Sequence, residues 1–396
     1  MLKTLTQIKN LKDKRVLVRV DFNVPIKNKK VLDDSRIKAS ALTINYLRKK
    51  GAKVIVITHL GRPEGKKIDD FSLAPVAKLL PKILKGLKEK PIKVPLLQDI
   101  FGEKELHALS KMKSGEVVLF ENIRFFPEEE RNDEDFARQL ASLADYFVLD
   151  GFAVAHRDAA SVSGIQKYLP SYAGFLLTTE IQMLSQLLKN PKHPCIAVIG
   201  GAKIETKLPV IKNLLKITDT ILVGGAIVNV YFKARGYDVG QSLVDNGFEK
   251  LALTTFKNKK IITPIDVMVG DKTGDFIRVV NILKKSHQIC KKGEAILDIG
   301  PATAALYANY LKTAKTIVWN GAMGYFENRS YALGTYTVAD AMANQKQAFT
   351  VVGGGETLEA IEKLKLTNKI GFVSTGGGAM LEYLGGKKLP GLKNLT

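Results

Sequence analysis

Short apolar, β-branched runs recur along the chain at RVLVRV (15–20), KVIVIT (53–58), VVLF (117–120), YFVL (146–149), IAVIG (196–200) and TILV (220–223). They continue with KIIT (260–263), AILDIG (295–300), TIVW (316–319), FTVV (349–352) and KIGFV (369–373). Most give way to Gly, Asp, Asn or His and then to a helix-like segment. Near-continuous apolar runs belong to strands buried on both faces, so the pattern predicts an α/β protein of parallel sheets covered by helices. A longer periodic stretch, FLLTTEIQMLSQLLKN, follows LPSYAG (169–174), with apolar residues at 176, 177, 181, 184, 187 and 188. That is helical spacing, and Asn190-Pro191 ends it. A long helix between two strand-rich halves predicts a hinged pair of domains, residues 1–171 and 172–379, the second beginning with this helix. The closing GGKKLPGLKNLT (385–396) is too short to fold alone. Residues 380–396 are expected to pack back on the first domain, a frayed tail being the alternative.

The length of 396 residues agrees with two domains, since single cores stop growing at about 250–300 residues. A hydrophobic content of 45% supports packed cores throughout. No apolar run approaches a membrane span and the first residues lack a secretory signal, so the expected location is the cytoplasm, with no membrane partner. Cys195 and Cys290 form no CxxC or Cys/His cluster, and the five histidines show no metal-ligand spacing, so neither a disulfide framework nor a dedicated metal site is expected. The formal net charge of +21 attracts anions, but it does not choose among nucleic acid, membrane and phosphorylated metabolite.

Candidate chemistry lies at the strand ends. In IAVIGGAKIETKLPVIKNLL (196–215) a strand ends in Gly200-Gly201 and a helix begins, with Lys203 and Lys207 spaced one turn apart. Two such cations repel by about 0.2–0.5 kcal/mol unless an anion lies between them, and helix N-terminal amides favour one there. Two solvated lysines are the alternative. Similar glycine-rich turns follow in VGGAIVN (223–229), DIGPAT (298–303), WNGAMGYFE (319–327), VVGGGET (351–357) and STGGGAM (374–380), as if along one ligand-bearing sheet edge. Neither GxGxxG nor a Walker P-loop occurs. The first half instead carries RVDFNVP (19–25), DDSRIKA (33–39), THLGRP (58–63), ENIRFFPEEE (121–130) and DGFAVAHRDAAS (150–161). Four of their arginines, Arg36, Arg62, Arg124 and Arg157, suit bidentate contacts to carboxylate or phosphate, although each alone is equally a surface ion-pair residue. The halves together describe a small anionic substrate facing a nucleotide across a cleft.

RVDFNVP, HLGRP, ENIRF, AHR, GGAK, DIGP, WNGAMGYFE, GGGET and STGGGAMLE, in that order, resemble the motifs of the phosphoglycerate kinase family. The resemblance implies two doubly wound parallel-sheet domains joined by a hinge helix, with a deep interdomain cleft. It implies a monomeric phosphotransferase that moves a phosphoryl group reversibly from 1,3-bisphosphoglycerate to ADP, giving 3-phosphoglycerate and ATP, with Mg²⁺ and no specific nucleic acid. By the same resemblance, Asp21, Asn23, Arg36, His59, Arg62, Arg124 and Arg157 bind the phosphoglycerate. Gly201, Lys203, Lys207, Gly224, Gly225, Asn320, Glu327, Gly354, Gly355, Glu356 and Thr357 hold the nucleotide. Arg36, Lys203 and the amides of Gly377 and Gly378 flank the migrating phosphoryl group. Direct in-line transfer needs no covalent nucleophile, and the lack of a Ser/His/Asp or Cys/His constellation agrees with it.

The chain departs from the family pattern at several points. DGFAVAHR stands where DAFGTAHR is usual, WNGAMG places Ala322 where the family has proline, and a usual GGG reads Gly224-Gly225-Ala226. Thr206 occupies a position that often holds aspartate. Glu356 replaces an aspartate that meets the nucleotide's Mg²⁺, which keeps the charge and adds one methylene of reach. The competing expectation is a basic nucleic-acid-binding protein on a decayed kinase scaffold. It lacks an RRM-like or KH-like signature, and none of the substrate arginines is lost.

Overall fold

Parallel strands are covered on both faces by the helices that connect them, and the register of their pairing decides where the loops emerge. The computed structural model describes residues 2–85, 92–283 and 287–395. Apart from a short antiparallel hairpin of Ile26–Lys27 with Lys30–Val31, the strands of the first half are β1 (Arg15–Arg19), β2 (Lys53–Ile57), β3 (Leu96–Leu97), β4 (Val117–Phe120), β5 (Tyr146–Leu149) and β6 (Ser171–Ala173). They form one parallel sheet in the order β3-β4-β2-β1-β5-β6. Val16, Leu17 and Val18 of β1 and Val54 to Ile57 of β2 are fully buried, as the apolar runs require.

The second half contributes β7 (Cys195–Ile199), β8 (Thr220–Val223), β9 (Ile261–Ile262), β10 (Asp266–Gly270), β11 (Ile277–Asn281), β12 (Ala295–Ile299), β13 (Thr316–Asn320), β14 (Phe349–Gly353) and β15 (Phe372–Val373). A second parallel sheet runs β9-β8-β7-β13-β14-β15, with Trp319 of β13 fully buried in its core. The remaining three strands pair antiparallel in the order β11-β10-β12. The run at 295–300 therefore leaves the parallel edge on which the sequence pattern placed it. Its neighbour β11 alternates exposed and half-buried residues because one face meets solvent, which is the antiparallel signature.

The chain divides into two compact units. One contains the residues up to Gln182 together with the tail from Lys388, and the other is Met183–Lys387. The division falls inside the helix Phe175–Lys189, while LPSYAG supplies β6 to the first sheet. The tail expected to pack back from residue 380 divides at Lys388. The helix Gly378–Leu384 belongs to the second unit, where the Asn213 side-chain amide donates to the Leu384 carbonyl at 2.7 Å. Beyond Lys388, Gly391 donates to the Ala155 carbonyl at 2.9 Å, and Leu395 accepts from the Lys3 amide at 2.7 Å.

Asp150, just after β5, is fully buried and caps the start of the helix Phe175–Lys189. Its Oδ1 accepts the Leu176 N–H at 2.9 Å, and Thr43 Oγ1 accepts the Phe175 N–H at 2.9 Å. A Cβ on Gly174 would collide with this carboxylate, so only glycine admits the approach. Burial raises the Asp150 pKa to about 7 against the opposing hydrogen bonds from Thr43 and Leu176. The folded chain thus keeps a proton that the unfolded chain gives up near pH 4, and stability is lost as pH rises from about 4 to about 7. We expect Asp150→Asn to gain on the wild type by on the order of 2 kcal/mol between pH 5 and pH 8. Urea midpoints at constant m-value measure the difference; a gap that stays flat over this range would contradict the assignment.

Candidate active site

The register of the first sheet brings its functional loops to one edge. Arg19 at the end of β1 lies opposite Ile57 of β2 and Leu149 of β5, so the loops beginning at Val20, Thr58 and Asp150 leave side by side. This carboxyl edge includes the point where successive strands begin to be added on the other side of β1, the usual place for a ligand in an open parallel sheet.

The polar groups there are tied down individually. Asp21 is buried, accepts the Asn23 N–H at 3.0 Å and pairs with Arg36, the second residue of the helix Ser35–Lys49. Asn23 is exposed, and its Oδ1 accepts the Gly61 N–H at 2.9 Å. Arg124 is only 3% exposed; it donates to the Gly61 carbonyl at 2.7 Å and pairs with Glu130 at 3.1 Å. Burial, reinforced by the charge of Arg157, pulls its pKa down to about 10, which leaves it cationic at neutral pH. Arg157 is half-buried, with an Nε that is out of solvent and without a hydrogen-bond partner. Arg62 stands exposed on the loop after His59. His59 itself is buried, and its pKa lies well below the ordinary value through desolvation first and then the charges of Arg19, Arg124, Arg157 and Arg36.

The structure thereby gathers Asp21, Arg36, His59, Arg124 and Arg157 into a cationic patch containing a neutral imidazole. It also adds residues that the motif reading passed over. Arg19 is fully buried beside His59, and Glu129 and Ser161 pack behind it. The legible signal for Arg19 was a charge at the end of an otherwise apolar strand; Glu129 lay hidden in an acidic run.

In the second unit, the site is built mainly from backbone. β7, β8 and β13 end in Gly200-Gly201, Gly224-Gly225 and Asn320-Gly321, in register at one edge. Gly201 donates to the Ala322 carbonyl and Gly225 to the Met323 carbonyl, each at 2.8 Å. Gly225 has a φ of +65°, and a Cβ there would lie 2.6 Å from the Gly201 nitrogen, so this crossing requires glycine. Lys207 is buried and donates to Asn320 Oδ1, while the Asn320 amide donates to the Gly353 carbonyl at 2.8 Å. Thr357 is fully buried and accepts the Gly321 N–H at 2.7 Å. Glu356 is exposed in the first turn of the helix Gly355–Lys363. Its Oε2 and the Lys207 Cε would each lie 3.5 Å from a Cβ placed on Gly201, so both groups border the same glycine. Burial lowers the Lys207 pKa to about 8, a fall that the Glu356 charge partly offsets.

The expected lysine pair on one helix face is not what forms. Lys203 is the exposed N-cap of the helix Ile204–Leu214, whereas Lys207 points inward. One amide expected to await an anion is also taken, because Asp245 Oδ2 accepts the Ile204 N–H at 2.8 Å. A cavity of about 370 Å³ adjoins these turns. Gly201, Gly225, Ala226, Ala322, Glu327 and Glu356 contribute to its wall, with Val267, Leu297 and Ile299 supplying apolar surface. Its volume falls within the range of small-molecule sites. Lys203, Lys207, Gly224, Asn320, Gly354, Gly355 and Thr357 do not line it. Gly377 caps the helix Gly378–Leu384 with a φ of +50° and open space where its Cβ would stand. Asp298, in the wall, is held neutral up to about pH 8 by burial, against amide hydrogen bonds from Gly334 and Ile299.

A family model described as phosphoglycerate kinase matches residues 5–387. The phosphoglycerate kinase of Moorella thermoacetica is 46% identical over 396 residues, covering 98% of this chain and 97% of its own. That of Dictyoglomus turgidum is 44% identical, covering 98% of each chain. Among solved structures, phosphoglycerate kinase from Coxiella burnetii aligns with a TM-score of 0.86 at 41% identity, over 100% of this chain and 99% of that one. The enzyme from Pyrococcus horikoshii gives 0.85 at 35% identity, over 100% and 98%. This likeness supports the kinase reading and not a nucleic-acid binder on a decayed scaffold. With a relative 46% identical along nearly its whole length, the chain belongs to the phosphoglycerate kinase family and is a phosphotransferase.

Proposed function

We propose that this protein transfers a phosphoryl group reversibly from 1,3-bisphosphoglycerate to ADP, giving 3-phosphoglycerate and ATP. The observation that carries this reading is the gathering of Arg36, Arg124 and Arg157 around a neutral His59, with Asp21 paired to Arg36 and Glu130 to Arg124. Such a cluster suits a ligand with both carboxylate and phosphate oxygens. Asp21, Asn23, Arg36, His59, Arg62, Arg124 and Arg157 are its proposed contacts, with the unpaired Arg157 Nε a ready donor. The Asp21 carboxylate holds the Arg36 guanidinium, limiting the reorganisation left for the reaction.

The nucleotide is assigned to the second unit, along Gly201, Lys203, Lys207, Gly224, Gly225, Asn320, Glu327, Gly354, Gly355, Glu356 and Thr357. Arg36, Lys203 and the amides of Gly377 and Gly378 are proposed to stabilise charge on the phosphoryl group in flight. In-line transfer depends on positioning and charge stabilisation more than on covalent chemistry. Among the described residues, no group of three or more His, Cys, Asp or Glu side chains could cage a metal ion. A Mg²⁺ carried on nucleotide phosphates needs only one or two carboxylates, and exposed Glu356 beside Lys207 fits that requirement. Glu356 would hold the metal, which supplies charge neutralisation on the phosphates. The protein is further proposed to act as a monomer in the cytoplasm; among the described residues no helix is long and apolar enough to cross a membrane.

A coupled assay with 3-phosphoglycerate and MgATP tests the reaction. We expect turnover by the wild type and a loss of about 10²–10³-fold or more in kcat for Lys203→Ala. No turnover, or an unaffected Lys203→Ala, would sink the assignment. A separate expectation concerns Lys207 in the ligand-free protein, whose side-chain NMR resonances should titrate with a midpoint near 8. Glu356→Gln should lower that midpoint, because the carboxylate favours the lysine's charged form. A midpoint near the ordinary ~10.4 would contradict the burial.

A further inference from the structure

Arg19 ends β1 with its guanidinium 1% exposed and held on several sides. Nε donates to Ser161 Oγ at 2.8 Å, and Nη1 donates to the Val20 carbonyl at 2.6 Å. Ser161 is fixed in turn, donating its hydroxyl to Glu129 Oε1 at 2.6 Å and its amide to Oε2 at 2.8 Å. The remaining nitrogen, Nη2, lies 3.9 Å from Glu129 and 3.4 Å from His59 Nδ1. A guanidinium has donors only, so the imidazole nitrogen facing it must offer a lone pair.

The two other forms of the ring fit less well. A proton on Nδ1 would point at Asp21 Oδ1, 3.8 Å away and beyond hydrogen-bond reach. The Asp21 oxygens already accept from the Asn23 amide and from Arg36. An imidazolium would be a buried cation among Arg19, Arg124, Arg157 and Arg36. We propose that Arg19 is a positioning residue that fixes His59 as the neutral imidazole carrying its proton on Nε2, so that His59 meets phosphoglycerate as an uncharged donor. This rests on the substrate assignment above. Its chemical consequence is a division of labour, in which the arginines take the anionic charge and His59 contributes one directional hydrogen bond to a substrate oxygen without adding to their mutual repulsion.

Histidine-selective ¹⁵N labelling and long-range ¹H–¹⁵N correlation on the ligand-free full chain read the ring directly. His59 is expected to show a protonated Nε2 and a bare Nδ1, unchanged from about pH 6 to 9. A proton on Nδ1, or an imidazolium at neutral pH, would falsify the proposal without recourse to any variant. In folded Arg19→Met the tautomers should mix and the KM for 3-phosphoglycerate rise about tenfold, with kcat and the nucleotide KM little changed. Arg19→Lys, which returns a donor, should restore the Nε2–H form. A folded Arg19→Met with the wild-type tautomer would remove Arg19 from the proposal. Adding 3-phosphoglycerate should shift the Nε2–H resonance; normal turnover with no such shift would remove the donor role. Absence of turnover would overturn the substrate assignment instead, while the tautomer stays readable in the ligand-free protein.

Discussion

Keeping cations charged while withdrawing them from water is the constraint on which both halves of this protein depend. A buried cation costs several kcal/mol unless hydrogen bonds and an opposite charge compensate it. Arg19 has Glu129 and Ser161, Arg124 has Glu130 and the Gly61 carbonyl, and Lys207 has Asn320 and the Glu356 field. The outcome differs by side chain. Arginine starts high enough that Arg124, even drawn down to about 10, remains charged, whereas burial in the second unit brings Lys207 to about 8 and into reach of physiological titration.

That difference matches the way the two units are built. In the first, the clustered polar groups are side chains, and the buried guanidiniums of Arg19 and Arg124 each have an anchor; the remote loop carrying Ser161 closes behind Arg19 for this reason. In the second, main chain does most of the work. The crossing of the Gly201, Gly225 and Ala322 turns aligns amides and carbonyls without burying further charge, so one buried lysine suffices there.

The parallel strands were legible because burial on both faces leaves a continuous apolar run, as at β1, β2 and β13. Strands without that run were not: β6 is the SYA inside an apparent linker, and β11 alternates because one face is wet. At the candidate site, motifs pointed to loops that each sheet brings to one edge, but spacing could not show where a helix starts. Lys203 and Lys207 look equivalent at i and i+4, yet the first caps the helix and the second lies inside the protein. Asp245 closes the same helix start from far along the chain, a tertiary relation with no local signal. Arg19 was readable in principle, because a charge ending a buried strand must find partners there.

One departure from the family pattern, Ala322, falls where the backbone and not the side chain makes the contact. Ala322 stands where the family has proline, and its described hydrogen bond at the crossing is made by its carbonyl, which accepts the Gly201 N–H at 2.8 Å. Proline and alanine offer the same carbonyl, so that bond survives the exchange, while the locked φ that proline provides is given up. Restraint has to come from packing instead: Ala322 is buried within an apolar cluster with Phe326, Ala332 and Ala360. Neighbouring Met323 is fully buried, and its amide donates to Thr335 Oγ1 at 3.0 Å. The turn is thus held from below by its neighbours where the family holds it by ring closure, and the cavity wall formed by Ala322 keeps its backbone path without the proline.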